Sequence, residues 1–69
     1  MHTVVLRNDN VWAVVFMMVP RHYVVAKFSG AHDAYSFCSY LNGGKLMLSD
    51  VGHNELDVFI ANAKKSPVT

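Results

Sequence analysis

The sequence lacks the crosslinks on which many small domains depend. Cys38 is its single cysteine, so no disulfide can form within the chain. Charge is also scarce, because Asp, Glu, Lys and Arg make up 16% of the 69 residues, against roughly 25% in an average globular protein. The net charge of +1 gives no strong field to steer nucleic acid or an acidic partner. A lone cysteine fits a reducing compartment, and we expect a cytoplasmic protein.

Long hydrophobic runs are missing as well. The longest run covers residues 11–20, about half of what a membrane-spanning helix needs. Its flanks do not have the basic start and the small-residue cleavage site of a signal peptide. We therefore predict a buried strand here and no association with a membrane.

Apolar residues are abundant instead. They account for 52% of the chain, which excludes disorder and predicts one domain over residues 1–69. A domain of this size buries only ~60% of the surface of its unfolded chain, so its stability is marginal. Without disulfides or a metal signature, self-association is the remaining source of stability, and we expect a homodimer.

The first half of the chain has the composition of strands. Three stretches are rich in β-branched and aromatic residues, namely 3–7, 11–18 and 22–28. Turn-forming residues separate them, and such short connections predict an antiparallel meander with the second stretch in the centre. Residues 45–48 are a candidate fourth strand.

Helical spacing marks the second half. A first helix is predicted over residues 31–42, and Asn42-Gly43-Gly44 supplies its left-handed stop. A last helix is predicted to start at Asn54 as its N-cap, and residues 64–69 are predicted to fray. Its inner face is predicted to carry Leu56, Phe59, Ile60 and Ala63. The predicted fold class is α+β, a small three- to four-stranded antiparallel sheet with two helices packed on one face.

The central strand is apolar on both sides. One side carries Trp12, Val14, Phe16 and Met18, and the other carries Val11, Ala13, Val15 and Met17. Because two short helices can cover one face of a sheet but hardly both, one apolar face needs another cover. The Trp12 face is expected to form the core or to lie between two copies. The alternative is that residues 45–48 and the tail fold over the second face.

No residue pattern indicates catalysis, a cofactor or a metal. The four histidines are scattered, whereas a zinc site needs three or four ligands at close spacing. Cys38 lies in mid-helix on the apolar face, where we expect a core residue rather than a nucleophile. Gly43 and Gly44 stop a helix, whereas the glycines of a phosphate loop start one. We therefore predict no catalytic residue, no cofactor, no metal and no enzyme.

Side chains on the helix surfaces indicate a protein interface. Tyr35 and Tyr40 lie on opposite flanks of the first helix, and tyrosine is enriched where proteins meet. The alternative is that both are half-buried tyrosines at the rim of the core. The predicted partner-binding residues are Tyr35, Tyr40, Ser36, Ser39, His32 and Val58.

One stretch has a second interpretation. Lys27-Phe28-Ser29, followed by Asp33-Ala34, Phe37 and Leu41, resembles the strand-to-helix junction in the arm-binding domains of phage-type integrases. The resemblance covers residues 27–41 and implies a sheet that enters the major groove of DNA. This sheet departs from that pattern, because its faces carry Val, Trp, Phe and Met. Its basic residues are Arg7, Arg21 and Lys27, few for binding phosphates.

The hypothesis that we favour is a non-catalytic protein-binding module, a small inhibitor or modulator of a host or partner protein, of the type that phages encode as accessory proteins. A small DNA-binding β3-α domain is the alternative. A small enzyme or ligand carrier is the third hypothesis.

Overall fold

Three antiparallel strands form the sheet of the computed structural model, which describes residues 1–65. β1 is His2–Leu6, β2 is Trp12–Met18 and β3 is Arg21–Phe28. The strand order β1-β2-β3 confirms the meander with β2 in the centre. Each strand departs from its predicted range by no more than one residue at either end.

The two turns of the meander have special backbone conformations. Asn10 has a φ of 61°, and its N–H donates to the carbonyl oxygen of Arg7 at 3.2 Å. Asparagine adopts positive φ at lower cost than most residues, so this position suits it. The turn between β2 and β3 contains a cis peptide bond between Val19 and Pro20.

A bulge interrupts β3 at Val25. Val14 lies opposite Ala26, and the next residue, Val15, lies opposite Val24. Val25 therefore has no partner of its own on β2, and the strand bends locally. β1 pairs with β2 without an interruption, so the two edges of the sheet differ.

α1 spans Ala31–Leu41 and stops at the glycines, as predicted. Gly43 has a φ of 107°, which glycine adopts without a steric penalty. Its N–H donates to the carbonyl oxygen of Tyr40 at 3.1 Å. Cys38 is buried, which confirms its predicted place on the apolar face, and Ala34 is buried beside it.

α2 spans Asp50–Lys65, so the predicted N-cap at Asn54 is wrong. The N-cap is Ser49, whose Oγ accepts the N–H of Gly52 at 3.1 Å. The sequence signal was a hydroxyl side chain directly before the acidic Asp50, which suits the positive end of the helix. The predicted fraying is wrong for residues 64 and 65, which are helical, and residues 66–69 lie outside the described residues.

The candidate fourth strand at residues 45–48 is also wrong, because no strand forms there. The segment follows α1 instead, and the N–H of Met47 donates to Oγ of Ser36 at 2.9 Å. Leu48 packs against the core cluster on the helix-covered face. The alternative expected this segment to cover the second face of the sheet, and for residues 45–48 that expectation is wrong.

The core lies on the sheet face that carries Val14. One buried cluster joins the sheet to α1, formed by Val14, Ala26, Phe28, Ala34 and Cys38. Trp12 from β2 and Leu56 from α2 pack against this cluster, so both helices contribute to one face. The same face is open at its other end, where Phe16 is half-buried and Met18 is 51% exposed.

The second face has its own buried residues. Ala13 and Val15 are buried there, and Lys27 lies opposite Ala13 on the same face. The side chain of Lys27 lies beside α2, together with Phe59. The predicted inner face of α2 is wrong at Ile60 and Ala63, which are exposed. The helix extends past the core after Phe59, so its last turns have no sheet beneath them. No helix within residues 1–65 is long and apolar enough to cross a membrane.

Gly52 lies against the carboxylate of Asp33, where a methyl group does not fit. A Cβ added to Gly52 would lie 2.5 Å from Cγ of Asp33. Alanine in a helix is normally more stable than glycine by ~1 kcal/mol. We expect Gly52→Ala to lower the free energy of unfolding by about 1–3 kcal/mol instead. Urea unfolding measures the change, and Asn54→Ala, at an exposed site nearby, is the matched control. A Gly52→Ala variant as stable as the wild type would contradict this contact.

Candidate functional site

Residues 44–49, which we call the strap, lie along the outer side of α1. Three of its backbone N–H groups donate to α1. The N–H of Gly44 donates to the carbonyl oxygen of Ser39 at 2.7 Å, and the N–H of Met47 donates to Oγ of Ser36 at 2.9 Å. The N–H of Ser49 donates to Oδ1 of Asp33 at 2.8 Å. A Cβ on Gly44 would lie 2.6 Å from Oγ of Ser39, so glycine is needed for this close approach. The strap thus covers the middle of the outer surface of α1.

Asp33 is the polar centre where the strap meets α2. Its side chain is 5% exposed and accepts the N–H and the hydroxyl of Ser49, at 2.8 Å and 2.7 Å. Burial raises the pKa of Asp33, but the two hydrogen bonds from Ser49 and the nearby charges of His32 and His53 lower it. The net pKa lies below the ordinary value of 3.8. The carboxylate is therefore ionised at neutral pH and acts as a hydrogen-bond acceptor, not as a general acid.

Tyr35 and Tyr40 rest against aromatic rings of the core. The ring of Tyr35 lies 6.2 Å from that of Trp12, and the ring of Tyr40 lies 6.2 Å from that of Phe37. Tyr35 is 58% exposed and Tyr40 is 47% exposed. Because each ring packs against a second ring, both tyrosines have less rotational freedom than an unpacked side chain on the surface.

The other predicted partner-binding residues have different positions. His32 is exposed on the first turn of α1. Ser36 holds the strap through its side chain, because its Oγ accepts the N–H of Met47. Ser39 does so through its backbone, because its carbonyl oxygen accepts the N–H of Gly44, and its side chain is exposed. The strap adds the exposed side chains of Leu46 and Met47, and Met47 is bonded to Ser36, which lies between Tyr35 and Tyr40 in the sequence of α1. Sequence reasoning missed this contribution, because residues 45–48 had been assigned to a strand.

Val58 belongs to a separate surface, a shallow hollow of about 420 Å³ beside α2. Val51, Val58 and Phe59 of α2 line it together with Lys27 of β3. Glu55 ties the helix to the end of β3, because its carboxylate oxygens accept the N–H of Ser29 at 3.1 and 3.2 Å. Neither Tyr35 nor Tyr40 lines this hollow. Val58 therefore lies apart from the surface of α1 that carries these two residues, which we call the tyrosine surface.

A third apolar surface lies at the turn between β2 and β3. Met17, Met18, Val19 and Tyr23 are exposed there, and Val19 is 94% exposed. The ring of Phe16 lies beside them in the sheet and packs at 5.0 Å against His2. The sequence placed Phe16 and Met18 on one face, and the structure shows that this end of the face extends beyond the core cluster.

The chemistry of the remaining residues is limited in the described part of the chain. Cys38 is buried, which confirms its prediction as a core residue. No group of three or more His, Cys, Asp or Glu side chains within residues 1–65 is placed to hold a metal ion. The exposed side chains of α1 and the strap include tyrosine, leucine and methionine, which suit apolar contact with another macromolecule.

No protein-family description, no curated protein and no solved structure matches this chain.

The lowered pKa of Asp33 makes stability depend on pH. Because the folded value lies below the unfolded one, the contribution of Asp33 is complete above about pH 4 and is lost as pH falls through the folded pKa. Asp33→Asn keeps the shape of the side chain but does not titrate. Between pH 6 and pH 2, we expect the stability of the wild type to fall more steeply than that of Asp33→Asn. Urea unfolding across this range measures the stability of both proteins. Equal pH dependence of the two would contradict an ionised Asp33 in its contact with Ser49.

Proposed function

We propose that this chain is a non-catalytic protein-binding module that acts as a homodimer and inhibits or modulates a partner protein. The observation that carries the proposal is the pair Tyr35 and Tyr40, each half-exposed and each packed on a ring of the core. Tyrosine is a preferred residue at the centre of protein interfaces. Leu46 and Met47 of the strap, which is bonded to α1, add two more exposed apolar side chains.

The amount of exposed apolar surface supports the same proposal. Fourteen large hydrophobic side chains within residues 1–65 are exposed. Monomeric soluble proteins rarely expose large contiguous apolar patches, and such patches usually mark interaction sites. A protein that binds in this way changes its partner by occupying a surface or by favouring one conformation of it. The role as an inhibitor or modulator is assigned by analogy with small phage-type accessory proteins.

The basic residues of the sheet do not favour the DNA-binding alternative. Arg7 precedes the turn after β1, and Arg21 begins β3 at the opposite end of the sheet. Lys27 lies in the hollow beside α2. Since phosphate contacts dominate affinity for DNA, three basic residues so widely spread offer a weak binding face.

Capture from a lysate of the source organism, followed by titration with the recovered partner, tests the proposed surface. We expect one protein in near-stoichiometric yield with the wild type. Tyr35→Ala and Tyr40→Ala should each weaken its binding by ~2 kcal/mol, which is roughly 30-fold. Their free energy of unfolding should change by no more than ~1.5 kcal/mol, the contribution of an aromatic pair.

Tyr23→Ala is the matched control, because Tyr23 is equally exposed but lies at the β2–β3 end of the sheet. It should leave partner binding unchanged. Partner binding that survives in both α1 variants would remove the tyrosine surface from the proposal. DNA retardation that falls steeply with salt would support the alternative instead.

A further inference from the structure

The outer edge of β1 carries backbone groups that no other strand within residues 1–65 pairs. The N–H of Arg7 donates to Val11 at 2.9 Å, and the carbonyl oxygen of Met1 accepts from Met17 at 2.8 Å. Because successive residues of a strand point their backbone groups to opposite sides, the odd-numbered residues of β1 face β2. The N–H and carbonyl groups of His2, Val4 and Leu6 therefore point away from the sheet.

Asn42 closes this edge at one position. Its Oδ1 accepts the N–H of His2 at 3.3 Å, and its Nδ2 donates to the carbonyl oxygen of His2 at 3.2 Å. The side-chain amide at the end of α1 thus pairs with His2 as the backbone of a neighbouring strand would. Within residues 1–65, no recorded hydrogen bond reaches the outward groups of Val4 and Leu6.

The opposite edge of the sheet is protected in other ways. β3 has a bulge at Val25 and begins with the charged Arg21. α2 packs against this strand, and Glu55 bonds the N–H of Ser29 just after it. Bulges, charges and covering helices are the usual means by which proteins block an edge strand. α1 packs against β1 as well, and Val4 lies against the core. Between Val4 and Leu6, however, β1 has no bulge and no charged residue, and no recorded hydrogen bond within residues 1–65 reaches its outward groups.

We propose that a second copy of this chain pairs with β1 along this edge, antiparallel and centred on Val5. Val4 then lies opposite Leu6 of the second copy, and each such pair exchanges both of its N–H···O bonds. The two Val5 side chains face each other across the two-fold axis, and the two sheets become continuous. Val5 and Leu6, which are 44% and 53% exposed, gain a cover.

The position of Asn42 selects this register. Centring the pair on Val4 would place Leu6 opposite His2 of the second copy, whose outward groups Asn42 already occupies. Centring the pair on Val5 uses Val4 and Leu6, and it places His2 opposite Asn8, which lies in the turn after β1 and outside the paired strand. The exposed edge is therefore complementary to itself, which is what a symmetric dimer requires.

The charges near the edge also fit a second copy. β1 has no charged Asp, Glu, Lys or Arg side chain from His2 to Leu6. In the proposed register the two Arg7 residues lie ~13 Å apart at ~3.3 Å per residue, beyond the screening length of ~8 Å in physiological salt. The other basic residues of the sheet, Arg21 and Lys27, lie on the far strand. This inference rests on the homodimer of the proposed function but not on the tyrosine surface.

Light scattering after size exclusion, over low to high micromolar concentrations, tests the dimer with two variants of one residue. Leu6→Pro removes the outward N–H but no hydrogen bond to β2, and proline is tolerated where the N–H of an edge strand faces solvent. Leu6→Ala shortens the same side chain and keeps the N–H. We expect a dimer for the wild type and Leu6→Ala, and loss of the dimer for Leu6→Pro.

Amide hydrogen exchange of the wild type supplies a second measurement, which holds even if Leu6→Pro does not fold. The Val4 and Leu6 amides should gain protection as protein concentration rises. The Val5 amide, which faces β2, should gain little. A monomeric wild type at every concentration would overturn the inference. A dimer whose Val4 and Leu6 amides exchange at a rate independent of concentration would overturn it as well.

The two proposals fail separately. If Leu6→Pro still binds the partner of the α1 surface, that surface acts without the dimer. If Tyr35→Ala and Tyr40→Ala remain dimeric, the β1 contact is independent of the tyrosines. A wild type that dimerises through β1 but whose partner binding ignores the tyrosines would contradict only the tyrosine surface.

Discussion

The ionised carboxylate of Asp33 connects the parts of this protein that hydrophobic packing alone joins weakly. It lies in the first turn of α1, and it accepts both the N–H and the hydroxyl of Ser49, the residue that caps α2. Buried carboxylates are costly unless hydrogen bonds satisfy them, so the geometry around Asp33 is strongly constrained. Gly52 has no side chain because the carboxylate occupies that space. The end of the strap and the start of α2 therefore share one anchor.

The surfaces proposed for binding depend on this anchor indirectly. The strap reaches Ser49 only after it has crossed the outer side of α1, and its middle is held by Ser36. If the end of the strap were released, Leu46 and Met47 would lose one of the contacts that hold them along α1. The tyrosines themselves depend on the core, because Trp12 and Phe37 support their rings. A small core and one polar junction thus determine the shape of the outer surface.

Local signals predicted the sheet, α1 and the turns, whereas the contacts between distant residues were out of reach. Asn10, Gly43 and the run of β-branched and aromatic residues in β2 act over a few residues, so their effect is visible in the sequence. Asp33 and Ser49 are 16 residues apart, and nothing local shows that they meet. Ser49 and Asn54 each directly precede an acidic residue, so the local pattern predicted the wrong N-cap for α2, and only the contact with Asp33 identifies Ser49. The amide of Asn42 was assigned to a helix stop, and its contact with His2, 40 residues away, needed the tertiary structure.

The bulge at Val25 decides how large an assembly of this sheet can become. Chains that pair through both sheet edges add subunits without limit and give fibres. Here the strand that carries the bulge also carries Arg21 and Lys27 and lies against α2. Once the regular edge is used, the edge that remains is a poor template for another strand. If a second copy pairs with β1 as we propose, growth by strand addition ends at a closed particle.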